Sequence, residues 1–228
     1  MKFSDVPAEG TYNLAPKNIT DIILKNKVNG KQLSEAVEIF YEAFERKIKP
    51  LIKSKETACE IYKKSINSDR VIYALLDDKV VGIAGLHYNN KNFMNNKYHY
   101  FREHFNPVKS FLIYTIYKWF SPQIKENELR IDTLAVKSTY RGMGIGSRLM
   151  KEVFSIAKNK GFDEVILEVV NTNPEAKRLY ERTGFTVKKI VKYYFLTMSA
   201  GFTSEYIMSY KLKEKSDSQG DQGDQGDV

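Results

Sequence analysis

The sequence contains one cysteine, Cys59, in 228 residues, so no intramolecular disulfide can form. Its three histidines offer no C-x-x-C or comparable ligand spacing with that cysteine, and no metal is expected. His99 and His104 stand five apart, which suits neither a helical face nor a strand face. A membrane-spanning helix needs about 20 apolar residues. The most apolar run, 111–120 (FLIYTIYKWF), is too short and is interrupted by Lys118. The opening MKFSDVPAEG has no apolar core of the export-signal kind, so the expected location is a reducing cytoplasm. Runs of lysine and arginine long enough to form a polybasic patch are also missing, which weighs against nucleic acid as a partner.

What is present is hydrophobic mass, at 42% of residues with 13 Phe and 15 Tyr, enough for the core of one domain. The net charge of +8 is uneven: residues 214–228 hold five acids and one lysine, a net of −4, so the remainder carries +8 − (−4) = +12. That excess suits an acidic ligand such as a phosphorylated nucleotide. Residues 214–228 form an acidic tail ending in GDQ repeats, without an aromatic to offset the cost of ordering, and are expected to be disordered. Residues 1–18 read as an N-terminal extension and 19–213 as the folded domain.

Apolar spacing predicts a helix from Leu33 to Ile48 capped by Ser34 and ended by Pro50, and a second helix over 56–67. Strands follow at 71–76 and 80–88, joined by an Asp77-Asp78 turn. Segment 89–127 breaks the rhythm with Asn-rich turns and an aromatic helix over 108–120, stopped by Ser121-Pro122. Then come a strand at 128–136, a helix over 144–160, a strand at 164–170, a helix over 174–183, and strands near 185–197 and 202–212. The order ααββ, insertion, βαβαββ is that of a mixed α/β domain whose sheet opens at one point for a ligand.

Residues 141–147 read Arg-Gly-Met-Gly-Ile-Gly-Ser between a strand and an amphipathic helix. Glycines there admit positive φ and close backbone approach, and the amides of the next helical turn form a nest for a pyrophosphate. A tight strand–helix connection is the plainer alternative. A Rossmann fingerprint fails at Ser147, and there is no G-K-[ST], HRD or DFG.

Arg141, Gly144 and Gly146 fit the [R/Q]-x-x-G-x-[G/A] loop of the GNAT acetyltransferases, after a strand ending Leu134-Ala135-Val136. Asn173, Ala176, Leu179, Tyr180, Gly184 and Phe185 fit their N-x-x-A-x-x-L-Y-x-x-x-G-F. The chain therefore resembles that family, most strongly over 128–195. The resemblance implies a GNAT fold with splayed central strands, acetyl-CoA as cosubstrate, no metal, and an amine acceptor attacking through a ternary complex. It implies that Arg141, Gly142, Met143, Gly144, Ile145, Gly146 and Ser147 hold the pyrophosphate. Leu134, Ala135 and Val136 would pair with the pantetheine arm, the Leu134 N–H facing the thioester carbonyl. Asn173 would bond the cofactor arm, and Tyr180 would protonate the departing thiolate.

For Tyr180 a core role is the structural alternative, and for Asn173 a helix cap, which is compatible with a cofactor contact. Glu168 is the first candidate for the general base, at the Glu-to-Tyr spacing of GNATs resembling the bacterial ribosomal-protein acetyltransferases, and Asp132 is the second. Alternation puts Asp132 on one strand face with Leu134 and Val136. Arg130 stands where histone-type GNATs carry glutamate, which argues against their arrangement of the base. Segment 89–127 reads as a wall of the acceptor site, as an extra packed helix, or as a membrane-surface or dimer contact. Other readings are a non-catalytic acyl-CoA-binding module and, more weakly, a nucleic-acid-binding module. Exposed terminal strands leave a homodimer open.

Overall fold

The computed structural model describes residues 21–119, 124–193 and 201–212. The expected N-terminal extension, the acidic tail and the Ser121-Pro122 stop lie outside the described residues, as does the end of the strand read over 185–197.

Strands β1 (Ile23–Lys25), β2 (Val71–Leu76), β3 (Lys79–His87), β4 (Glu128–Val136), β5 (Glu164–Val170), β6 (Thr186–Lys192) and β7 (Ser204–Lys211) form one sheet in the order β1-β2-β3-β4-β5-β7-β6. Only β4 and β5 pair in parallel, joined by the crossover helix α5 (Ile145–Asn159). Helices α1 (Gly30–Ile48), α2 (Lys55–Ser65), α3 (Tyr98–Arg102), α4 (Pro107–Trp119) and α6 (Pro174–Arg182) complete the fold. The sequence reading missed β1 and α3, which are three and five residues long and too short to show a period.

All of β2 is buried, and its alternate residues serve two cores. Ile72, Ala74 and Leu76 join Leu149, Val153 and Ala157 of α5, whereas Val71, Tyr73 and Leu75 join Ala36 and Ile39 of α1. Burying each large side chain contributes about 1.5–3 kcal/mol, so the sheet is held from both faces. The tight β2–β3 turn places both Asp77 and Asp78 at positive φ, 48° and 61°, as a two-residue hairpin requires.

Helix α1 begins earlier than its apolar pattern. Asn29 is the cap, accepting from the Gln32 N–H while the Gln32 side chain accepts from the Asn29 N–H. Ser34, the expected cap, is inside the helix and donates back to the Gly30 carbonyl at 3.0 Å. The insertion packs as a third layer: Phe101 of α3 and Ile113 of α4 are fully buried against Val37, Tyr41, Ile61 and Tyr62 of α1 and α2. Phe93 reaches the sheet itself, where a Cβ at Gly85 would lie 2.6 Å from its ring, so residue 85 must be glycine. No described helix is long and apolar enough to cross a membrane.

Candidate active site

Two sheet irregularities build the site. Pairing between β4 and β5 runs only from Glu128↔Glu164 to Ile131↔Leu167, although β4 continues to Val136 and β5 to Val170. Past that point each strand keeps only its outer neighbour, β3 or β7, and the sheet splays. The edges facing the gap carry backbone groups with no strand partner, a template for an extended ligand arm. The second irregularity is a register shift from Gly85↔Thr133 to Leu86↔Ile131, which leaves Asp132 without a partner in β3.

That bulge corrects the face assignment of Asp132. Leu129 and Ile131 belong to the α5-side core, and beyond the bulge Leu134 and Val136 pack there too. Arg130 and Asp132 therefore lie on the α1 side with Ala135, and Asp132 does not share a face with Leu134. Glu168 is also on the α1 side, since Val165, Leu167 and Val169 of β5 enter the α5-side core.

On that face the buried Arg130 joins the two candidate bases. Its Nε donates to Asp132 Oδ1 at 2.9 Å, and its Nη1 and Nη2 reach Glu168 Oε1 and Oε2 at 3.0 and 2.7 Å. Glu168 is thus gripped by both oxygens, Asp132 by one. The second oxygen of Asp132 lies 3.9 Å from Nδ1 of His87, a buried nitrogen with no hydrogen-bond partner among the described residues. Burial, opposed by Arg130, raises the Asp132 pKa to about 6. Burial, with Arg130 and Arg70, lowers that of His87, which favours the neutral ring. Further along the cleft, the buried Glu205 accepts from the Tyr193 hydroxyl at 2.9 Å and pairs with Lys47 of α1 at 2.8 Å.

The glycine loop closes the other end of the gap. Gly142 and Gly144 take φ of 80° and 76°, and Gly144 caps α5 without a side chain. The first helical N–H groups are therefore left for a ligand, and no acidic residue stands in that turn to repel an anion. Gly146 is helical, and a Cβ added there would lie 4.0 Å from the Val136 side chain and 3.9 Å from that of Leu179 of α6, so the turn sits between the end of β4 and α6. Arg141 is exposed and ties the loop down by donating to the Val136 carbonyl at 3.2 Å. Ile145 is buried, Met143 and Ser147 half-buried.

Asn173 caps α6, its side-chain oxygen accepting from the Ala176 N–H at 3.1 Å. Its side-chain NH₂ can still donate elsewhere. Tyr180 is buried in the α5-side core beside Phe185, and burial raises its pKa to about 12. The glycine loop and Tyr180 thus lie on one face and the carboxylates on the other, with the splay between. On the carboxylate face, a cavity of about 340 Å³ is lined by Arg130 and Asp132 and, from the insertion, by Phe93, Met94, Tyr114, Tyr117 and Lys118 among others.

The model of the acetyltransferase (GNAT) family matches residues 33–185, which cover the crossover, the glycine loop and α6. The chain belongs to the GNAT family. A 65-residue stretch is 38% identical to the N-alpha-acetyltransferase 30 of Schizosaccharomyces pombe, covering 28% of this chain and 43% of that protein. A stretch of the same length is 35% identical to the probable N-acetyltransferase camello of Xenopus tropicalis, covering 28% and 30%. The matched stretches thus span less than half of either relative. The fold is similar to that of an N-acetyltransferase from Staphylococcus aureus Mu50, with a TM-score of 0.58 at 15% identity over 82% of this chain and all of that one.

Within this GNAT chain, sequence reasoning passed over His87, Tyr193 and Glu205. Arg130 it noted only as a departure. An arginine between Leu129 and Ile131 in a strand was a usable sign of a buried cation seeking carboxylates. His87 gave no sign, because a lone histidine has no spacing to read.

Proposed function

We propose that the chain transfers the acetyl group of acetyl-CoA to a primary amine by direct attack. The observation that carries this reading is the β4–β5 splay, which opens from the uncapped first turn of α5 to the half-buried carboxylates Asp132 and Glu168. The residues fit the cosubstrate: free helical amides for a pyrophosphate, an open β4 edge for an extended arm, and a basic body for its charge. Bound acetyl-CoA supplies the thioester carbonyl carbon as electrophile. The amides of residues 142–147 hold the anionic end, and the backbone of Leu134, Ala135 and Val136 aligns the arm and polarises the carbonyl. Asn173 donates to the arm while capping α6. Tyr180, kept protonated by burial, gives its phenol proton to the departing sulfur.

An alkylamine is mostly protonated at neutral pH and must lose a proton before attack. We rank Asp132 ahead of Glu168 as the acceptor of that proton, because Arg130 occupies one oxygen of Asp132 and both of Glu168. The acceptor enters the cavity walled by Tyr114 and Tyr117, where Lys118 disfavours a polycation and suits an amine whose remainder is neutral or acidic. The single half-buried thiol of Cys59 is in keeping with a reducing cytoplasm.

Calorimetric titration of acetyl-CoA, coenzyme A and NADH is the first test, with a Gly144→Glu, Arg141→Glu variant as control. Binding of acetyl-CoA and coenzyme A but not NADH, lost in the variant, supports the assignment of the loop. Folded wild type that binds neither overturns it. The engaged state of both carboxylates favours a second reading, a non-catalytic acyl-CoA-binding module. Acetyl-CoA binding without thiol release across a panel of α-amino peptides and small amines would select that module.

A further inference from the structure

Helix α4 has two faces, and the site uses one. Ser110 and Ile113 are buried, and Tyr114, Tyr117 and Lys118 line the cavity. On the opposite side Val108, Phe111, Leu112 and Trp119 are 79%, 64%, 57% and 78% exposed. With Thr115 they fall at i, i+3, i+4, i+7 and i+11, a single apolar stripe of the molecular surface.

Its borders are cationic. At roughly 100° per residue, Lys109 and Lys118 stand on opposite sides of the stripe, and there is no acid from 104 to 119. Glu103, the acid just before that stretch, is paired with Lys64. A second copy laid on this helix would bring two bodies of +12 together. An anionic surface would instead meet cations flanking a band of aliphatic and aromatic groups, the arrangement that seats a helix in the headgroup layer.

We propose that α4 docks on an anionic lipid surface, with Val108, Phe111, Leu112 and Trp119 in the interface, Lys109 among the headgroups on one border and Lys118 on the other, at the rim the stripe shares with the cavity. Because the inner face of α4 walls the cavity, docking holds the acceptor site beside the membrane and gives amines carried there an advantage over those in bulk solution.

Trp119 is the only tryptophan in the chain, so its emission reports contact directly. The full chain is titrated with phosphatidylcholine vesicles, with and without an equal part of phosphatidylserine, following emission and co-sedimentation. A blue shift on the anionic vesicles, with binding about tenfold tighter than to neutral ones and weakened by salt, is the expected result. A Phe111→Ser, Leu112→Ser variant changes exposed residues only and should lose about tenfold or more of that binding with an unchanged circular dichroism spectrum. No spectral shift in folded wild type, equal binding to both vesicle types, or undiminished binding by the variant overturns the proposal. So does a dimer in light scattering that the same variant dissociates, since a second copy would then cover the stripe.

Discussion

Asp132 and Glu168 share one guanidinium, and the charge of Glu168 acts on Asp132. For Asp132 burial outweighs the pull of Arg130, so its carboxyl gives up the proton only near pH 6. Below that pH it is protonated and cannot take a proton from the amine. The value of kcat/KM should therefore rise as pH increases through about 6 and then level, the apparent value belonging to the coupled cluster. Asp132→Asn should remove this limb and lower kcat by about 10²–10⁴-fold, whereas a limb unchanged in that variant assigns the base elsewhere. Tyr180 has the opposite sign: its phenol is lost as a donor only as pH rises through about 12. Tyr180→Phe should cut kcat by a similar factor and leave the calorimetric affinity for coenzyme A unchanged. Removing the shared cation is a question of stability. Arg130→Met would leave two half-buried carboxylates without their shared cation, at a cost below the roughly 3–5 kcal/mol of a fully buried pair, readable as a lower urea midpoint above pH 6.

At the scale of elements, local chemistry was legible and pairing was not. The limits of β4 and β5 agree with the sequence reading residue for residue, because each is a run of branched residues between turn signals. The bulge at Asp132 comes from how β4 registers against β3, more than forty residues earlier, and no local pattern in 128–136 records it. Alternation therefore put the carboxylate on the wrong face. The cap of α1 misled for a related reason: Asn29 precedes the first apolar position by four residues, while Ser34 stands within the pattern. The insertion was read as a wall of the acceptor site, as a packed helix, or as a membrane-surface or dimer contact; it packs as a layer and also lines a cavity. Its junction with the sheet is tight, since a Cβ at Gly85 would meet Phe93 at 2.6 Å and Thr133 at 2.7 Å. Gly85→Val should destabilise the fold by about 1–3 kcal/mol through overpacking, checked by urea unfolding. It should also disturb the acceptor KM more than the affinity for coenzyme A, because Phe93 lines the cavity.

Over the whole molecule, the sequence motifs 141–147 and 173–185 are separate in the chain, yet a Cβ added at Gly146 would lie 3.9 Å from the Leu179 side chain, so the two meet at the mouth of the splay. The two motifs were legible because each must satisfy strict backbone geometry, whereas His87, Arg130, Tyr193 and Glu205 meet only through tertiary packing. A ligand spanning that mouth would link β4, α5 and α6, and its binding energy would add to folding stability. At about 100 times its Kd, coenzyme A should add about 2.7 kcal/mol. For a chain of this size each kcal/mol raises Tm by about 2–4 °C, so a rise of about 5–10 °C is expected. Gly144→Glu, which puts a charge at the α5 N-terminus and a side chain on a positive φ, should lower Tm in the free protein and abolish the rise. A rise that persists in that variant would place coenzyme A away from the glycine loop, and the splay would then need another occupant.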